Sequence, residues 1–190
     1  MQLEMVVEIP EGSRNKYEMD HAIGRIRLDR TLFTAAQYPA DYGYIPGTVA
    51  EDGDPLDALV PLGQPTFPGC AVRVRPVAVF WMHDEKGPDA KILCVATDDP
   101  RMDHIRDLND VPQHQLNEIG HFFGIYKELE PCKTGEARGW QGLADAERLI
   151  NDARRRADAG EGIPGLPAPA LGARHFDGRE RRTSRRQPTN

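Results

Sequence analysis

Residues 51–59 read EDGDPLDAL, which places Glu51, Asp52, Asp54 and Asp57 within one short turn at the edge of an apolar run. Like charges this close repel, and a carboxylate near an apolar setting is costly unless something compensates it. A second cluster has the same grammar: Asp84, Glu85 and Asp89 flank a turn that holds Gly87 and Pro88. In both clusters two aspartates stand at the same spacing, Asp52 with Asp57 and Asp84 with Asp89. If the adjoining strands are neighbours, the two turns meet, and the facing carboxylates need cations between them. Oxygen donors alone select hard ions such as Mg²⁺ or Mn²⁺. The plainer alternative is that these aspartates serve the backbone hydrogen bonds of ordinary Gly-Asp-Pro turns. An EF-hand loop does not fit, because Pro55 and Leu56 stand where that loop needs a ligand and an invariant glycine.

Cations and phenols accompany the acids. Lys16, Arg30, Lys91 and Lys127 fall at or near the ends of expected elements, as do Tyr38, Tyr42 and Tyr126. Singly, each reads as a surface charge or a packing aromatic. Together with carboxylate-held metal ions they describe a phosphate site. The ions neutralise one side of a polyanion while ammonium, guanidinium and phenol groups take its remaining oxygens.

Several elements must position these groups. Leu3–Ile9 reads as a strand ended by Pro10. Residues 16–19 and 25–28 flank the turn DHAIG, where Gly24 can take positive φ, so they read as a hairpin. Residues 38–47, YPADYGYIPG, predict an irregular or partly extended stretch. Residues 58–62 and 72–82 read as strands, HDEKGPD as a turn, and 90–96 as a returning antiparallel strand. Pro112 suits the first turn of a helix with Asp110 as a nearby cap, and Leu116, Ile119, Phe123 and Tyr126 share one face. A second helix spans 143–157, with Ala146, Leu149, Ile150 and Ala153 as its stripe and Gly160 as its stop. Short strands followed by two helices predict an α+β fold: a small, mostly antiparallel sheet or barrel with the helices packed outside.

The 190 residues suit one domain with an extension. Residues 161–190 are rich in Pro, Gly and Arg, have no apolar period and read as a disordered tail. Their six arginines face three acids, which leaves 18 basic and 27 acidic groups upstream, a net of −9 for residues 1–160. That acidity argues against nucleic acid as a partner and suits a holder of divalent cations. Cys70, Cys94 and Cys132 form neither a disulfide framework nor a zinc spacing. With no signal peptide and no apolar run long enough to span a bilayer, a cytoplasmic protein without a membrane partner is expected.

From about Glu8 to Trp140 the chain resembles the bacterial type of family I soluble inorganic pyrophosphatases. EDGDPLDAL matches the family signature, and VEIP, NKYEMD, LDR, YPADYGY, RPVAVFWMHDEKGPDAK, DHIRDLNDVP and HFFGIYKELE support it in order. The resemblance implies a five-stranded OB-like barrel with two C-terminal helices outside, over residues 1–160. It implies hydrolysis of pyrophosphate with several Mg²⁺ ions, for which Mn²⁺ or Zn²⁺ can substitute. Asp52, Asp57, Asp84 and Asp89 would ligate metal, and Glu8 with Glu18 would serve a further ion or its waters. Lys16, Arg30 and Tyr42 would bind one phosphoryl group, and Lys91, Tyr126 and Lys127 the other. Tyr38 and Glu85 would support them. Asp54 is the expected proton acceptor for the attacking water, with Asp89 as its rival. The family also implies a homo-oligomer, a hexamer, with His121 at an interface position where Ile125 replaces a second histidine.

The chain departs from the family's pattern at PCKTGEARGW. Lys133 matches a family lysine there, but Cys132 and TGEA do not, which puts the last strand or loop in doubt. His83 is unexpected beside Asp84, and reads either as a surface histidine or as a modulator of the metal site near neutral pH. His21 stands close to Glu18, where a modest role in the site is possible. Two other readings stay open: a non-catalytic binder of divalent metal or polyphosphate on the same scaffold, and an OB-type nucleic-acid binder, which the −9 charge opposes.

Overall fold

A computed structural model describes residues 1–85 and 87–161; the expected tail lies, from residue 162 on, outside the described residues. The strands are β1 (Leu3–Ile9), β2 (Asn15–Asp20), β3 (Arg25–Thr31), β4 (Asp41–Ile45), β5 (Leu56–Val60), β6 (Ala71–Asp84), β7 (Gly87–Ala96) and β8 (Gly135–Gly142). The helices are α1 (Gln113–Ile125) and α2 (Leu143–Asp158). Hydrogen bonds run in the order β1-β4-β5-β7-β6, and β6 pairs back to β1, so five strands close into a ring. This is the expected five-stranded architecture, and every pairing in it is antiparallel except β5 with β7.

β6 makes the closure possible. Its first residues pair with β1, and from Ala78 onwards it pairs with β8. Pro76 cannot donate to the ladder, and the register against β7 shifts between Pro76 and Ala78. A bulge there bends the strand, so its two halves can serve different neighbours. β4 was expected to be irregular or partly extended, yet it is a regular strand, buried at every position. Its prolines lie outside it, and Gly43 is required by proximity: a Cβ there would stand 1.9 Å from the Val6 carbonyl oxygen of β1. β8, with its polar text, pairs on the outer edge of β6 and resolves the doubt over residues 132–142. The turn expected over 83–89 is shorter, because β6 runs through Asp84 and β7 begins at Gly87.

One face of the strands packs on α1 through Phe80, Phe122, Phe123 and Leu116. The other packs on α2 through Val79, Ile92, Ala146, Ile150 and Ala153. The stripes expected for both helices are therefore the buried ones, with Leu149 half-buried at the margin. Pro112 is the residue before α1 rather than in its first turn, and Asp110 does not cap that helix. Its carboxylate accepts from the N–H groups of Arg106 and Asp107 in the preceding loop. Gly160 ends α2 at φ +77°, with its N–H on the Ala157 carbonyl. Gly24, at φ +63°, turns the hairpin as expected. Among the described residues no helix is long and apolar enough to cross a membrane.

Candidate active site

One cleft of about 450 Å³ opens beside the ends of β5 and β7, and every residue expected above to bind metal or phosphate, to accept the proton or to support those groups lines it, except Tyr38. The two acidic turns do meet. Pairing of β5 with β7 sets Asp57 opposite Lys91, and pairing of β4 with β5 sets Tyr44 opposite Asp57. Asp89 and Lys91 stand two residues apart on β7, so they point to the same face. The Lys91 ammonium lies 2.8 Å from Asp57 Oδ2, 2.9 and 3.0 Å from the Asp89 oxygens, and 3.2 Å from the Tyr42 hydroxyl. Tyr42 donates its hydroxyl to Asp57. Lys91 is only 2% exposed. Burial would lower its pKa, and Asp57 and Asp89 overturn that, so the ammonium is held above its ordinary range. Burial pushes the Asp89 carboxyl up, with Lys91 opposing.

Lys127, just past α1, repeats the arrangement on the second cluster, at 2.8 Å from Asp84 Oδ2 and 3.4 Å from Glu85. Tyr126, beside it, is buried against Phe122 and Phe123. Asp52 and Asp54 stay exposed on their turn, and the Asp54 N–H donates to Asp52 Oδ1 at 3.1 Å. Lys16 and Arg30 are paired across β2 and β3, and their side chains reach Glu18 and Asp29. Tyr38 is not in the cleft: it is buried behind Tyr42, with ring centres 5.4 Å apart, and braces that ring. His21 lines the cleft with its ring against Tyr44, whereas His83 is exposed and outside it.

Glu8 enters at an irregularity. The β1–β4 register shifts between Val7 and Ile9, so Glu8 has no partner across the ladder, and its Oε1 accepts from the Met19 N–H at 2.6 Å. Burial pushes its carboxyl up to about 7, partly offset by that hydrogen bond and raised further by Asp57. The sign of the linkage follows. Below about pH 4.5 Glu8 is protonated folded or unfolded, and no penalty applies. As pH rises towards 7 only the unfolded chain ionises fully, so stability falls by up to roughly 3 kcal/mol. Urea unfolding of metal-free protein between pH 4.5 and 8 should show this loss, and Glu8→Gln should flatten it. An unchanged slope in the variant would assign the loss to other groups.

The donors suit hard divalent ions, because all are oxygens. Among the described residues no three acidic, histidine or cysteine side chains are gathered closely enough to cage an ion. Instead, one ammonium draws Asp57 and Asp89 to a common point, and Glu8 remains a buried carboxylate short of positive charge. Both observations fit a site that takes additional cations.

The sequence reading missed Glu130. It is buried; Arg30 Nε donates to its Oε1 at 2.9 Å, and Arg30 Nη2 stands 2.9 Å from its Oε2 as an ion pair without hydrogen-bond geometry. It also holds Lys133 at 3.2 Å. The only signal for it was its place between two lysines in YKELEPCK.

Residues 5–158 match the inorganic pyrophosphatase family. The chain belongs to that family. Over 156 residues it is 53% identical to the inorganic pyrophosphatase of Streptomyces coelicolor, covering 82% of this chain and 96% of the relative. It is 55% identical over 147 residues to that of Leifsonia xyli, covering 77% and 90%. Among solved structures, the inorganic pyrophosphatase of Thermus thermophilus superposes with a TM-score of 0.81 at 47% identity, covering 83% of this chain and 91% of the other. As an inorganic pyrophosphatase family member, the chain carries the expected fold, and the family match extends through α2 to Asp158.

Proposed function

We propose that this chain is an inorganic diphosphatase that hydrolyses pyrophosphate to two phosphates with Mg²⁺, by in-line attack of water. The observation that carries the reading is the convergence of Asp57, Asp89, Tyr42 and Lys91 in a cleft also lined by Lys16, Arg30 and Lys127. Carboxylates on one wall take cations, and fixed cations on the other take phosphate oxygens. Asp52, Asp57, Asp84 and Asp89 would hold the ions, with Glu8 and Glu18 serving a further ion. When bound, the ions neutralise the substrate and lower the pKa of the attacking water. Lys16, Arg30 and Tyr42 would grip one phosphoryl group, and Lys91, Tyr126 and Lys127 the other, offsetting charge on the leaving phosphate. Glu85 supports Lys127, and Tyr38 supports Tyr42. Asp54 would accept the proton, with Asp89, whose two oxygens both receive the Lys91 ammonium, as its rival.

The working form in this reading is a cytoplasmic homo-oligomer, a hexamer by family resemblance. Exposed Phe33 and Phe67 offer apolar surface for such contacts, and His121 is exposed on α1. Phe122 and Phe123, by contrast, are core residues.

The test is phosphate release from pyrophosphate at about 5 mM Mg²⁺, a level chosen to fill weak sites, beside a chelator control. Fast release that stops with chelator is expected. Absence of release from folded, Mg²⁺-loaded protein would overturn the reading in favour of a binding protein.

A further inference from the structure

We propose that Glu130 is a positioning residue for pyrophosphate hydrolysis: it locks Arg30 and Lys133 into one cationic wall of the cleft. The inference rests on the reading of Arg30 as a phosphate ligand. Arg30 and Lys133 line the cleft, whereas Glu130 does not, so it grips both from behind. Its side chain is 3% exposed although it lies in a turn beyond α1, where a carboxylate would ordinarily face water. A buried carboxylate is costly unless paired, and here two cations pair it.

The topology gives this contact its purpose. β2 and β3 form a separate two-stranded sheet, so no strand ladder fixes Arg30 relative to Asp57, Lys91 or Lys127. Backbone bonds between Gly12, Ser13 and Tyr38 anchor the base of the hairpin, and side chains hold it further along. Glu8 holds β2 through the Met19 N–H, and Glu130 holds β3 through Arg30. The loop that carries Glu130 is itself held to the second acidic turn, since the Thr134 N–H meets Glu85 Oε2 at 3.4 Å and Glu85 reaches Lys127. The two groups of phosphate-binding cations thus share one frame. Without Glu130, Arg30 keeps among the described residues its neighbour Asp29, which lies on the same hairpin and fixes nothing relative to the barrel. An unheld arginine must lose its rotamer freedom during the reaction, and small misplacement of a charged group weakens transition-state stabilisation steeply.

Glu130→Gln keeps the shape and can still accept from Nε, but it removes the charge that pairs Arg30 Nη2 and Lys133. The experiment is a double-mutant cycle in kcat/KM for pyrophosphate at saturating Mg²⁺, using the parent, E130Q, R30A and E130Q/R30A. E130Q should lose about tenfold, and R30A about a hundredfold. The double variant should lose clearly less than the product of the two single losses, at most about threefold more than R30A, because Glu130 acts mainly through Arg30 and otherwise only through Lys133. A general structural role would instead multiply the two losses, and that result would overturn the proposal, as would an E130Q enzyme with parental kcat/KM. If E130Q is recovered unfolded, E130D takes its place in the same cycle. A parent that releases no phosphate removes the proposed function itself. A parent that works beside an unimpaired E130Q removes only this inference.

Discussion

Asp57→Asn is expected to leave no more than about a thousandth of the parental kcat at saturating Mg²⁺. The asparagine keeps the size of the side chain and removes its charge. Asp57 accepts from both Tyr42 and Lys91, and it stands opposite Lys91 across β5 and β7. Its loss therefore strikes twice. The proposed ions lose a carboxylate ligand, and the buried Lys91 loses one of the two carboxylates it pairs with among the described residues and keeps Asp89. An amide that turns its nitrogen towards the ammonium adds repulsion, worth roughly 1–3 kcal/mol of stability. Steady-state phosphate release should show the collapse in kcat, and calorimetric titration should show weakened Mg²⁺ binding. Near-parental turnover in D57N would remove Asp57 from the catalytic machinery and with it the proposed ligand set.

Lys91→Met is expected to lose turnover by about two to three orders of magnitude and, without metal, roughly 3–5 kcal/mol of stability. Methionine fills much of the space of the lysine stem, so packing against Tyr42 and Phe123 is largely kept. What disappears is the charge that Asp57 and Asp89 share. Two carboxylates and a buried phenol are then left facing one another in a setting that disfavours ionisation. Divalent ions should repair part of that loss, because they supply positive charge to the same oxygens. Mg²⁺ should therefore raise the Tm of K91M by more than it raises the parent's. Turnover should stay low even so, since the ammonium proposed to offset charge on the leaving phosphate is gone. Equal Mg²⁺ shifts in the two proteins would show that Lys91 and the ions do not compete for the same carboxylates.

The elements were unevenly legible. β1, the β2–β3 hairpin and both helices announce themselves through alternation, a glycine turn and apolar stripes, because each of those signals is local. β4 did not, since YPADYGYIPG is punctuated by prolines and glycines that favour irregular backbone. Its regularity comes from neighbours: β1 and β5 supply its partners, and Gly43 admits the Val6 carbonyl. β8 was obscure for a related reason. As a strand on the outer edge of β6 it buries little, and GEARGWQG shows no apolar alternation. β5 begins at Leu56, two residues before the apolar text suggests, because ladder pairing with β4 draws Leu56 and Asp57 into the strand.

The sequence by itself picked out the chemical groups that line the candidate site, though it also placed Tyr38 there and left Glu130 unseen. Spaced aspartates on Gly-Pro turns, with lysine, arginine and tyrosine at element ends, are chemical choices written residue by residue. Only the tertiary structure decided how those groups answer one another. Asp57 meets Lys91 through a parallel pairing between strands more than thirty positions apart. Glu8 lies at a one-residue shift in register between β1 and β4 and accepts from the Met19 N–H of β2, a contact that no local pattern encodes. Glu130 reaches Arg30 across a separation of 100 residues. Such contacts depend on which strand lies beside which and at what offset, so they arise from packing and ring closure.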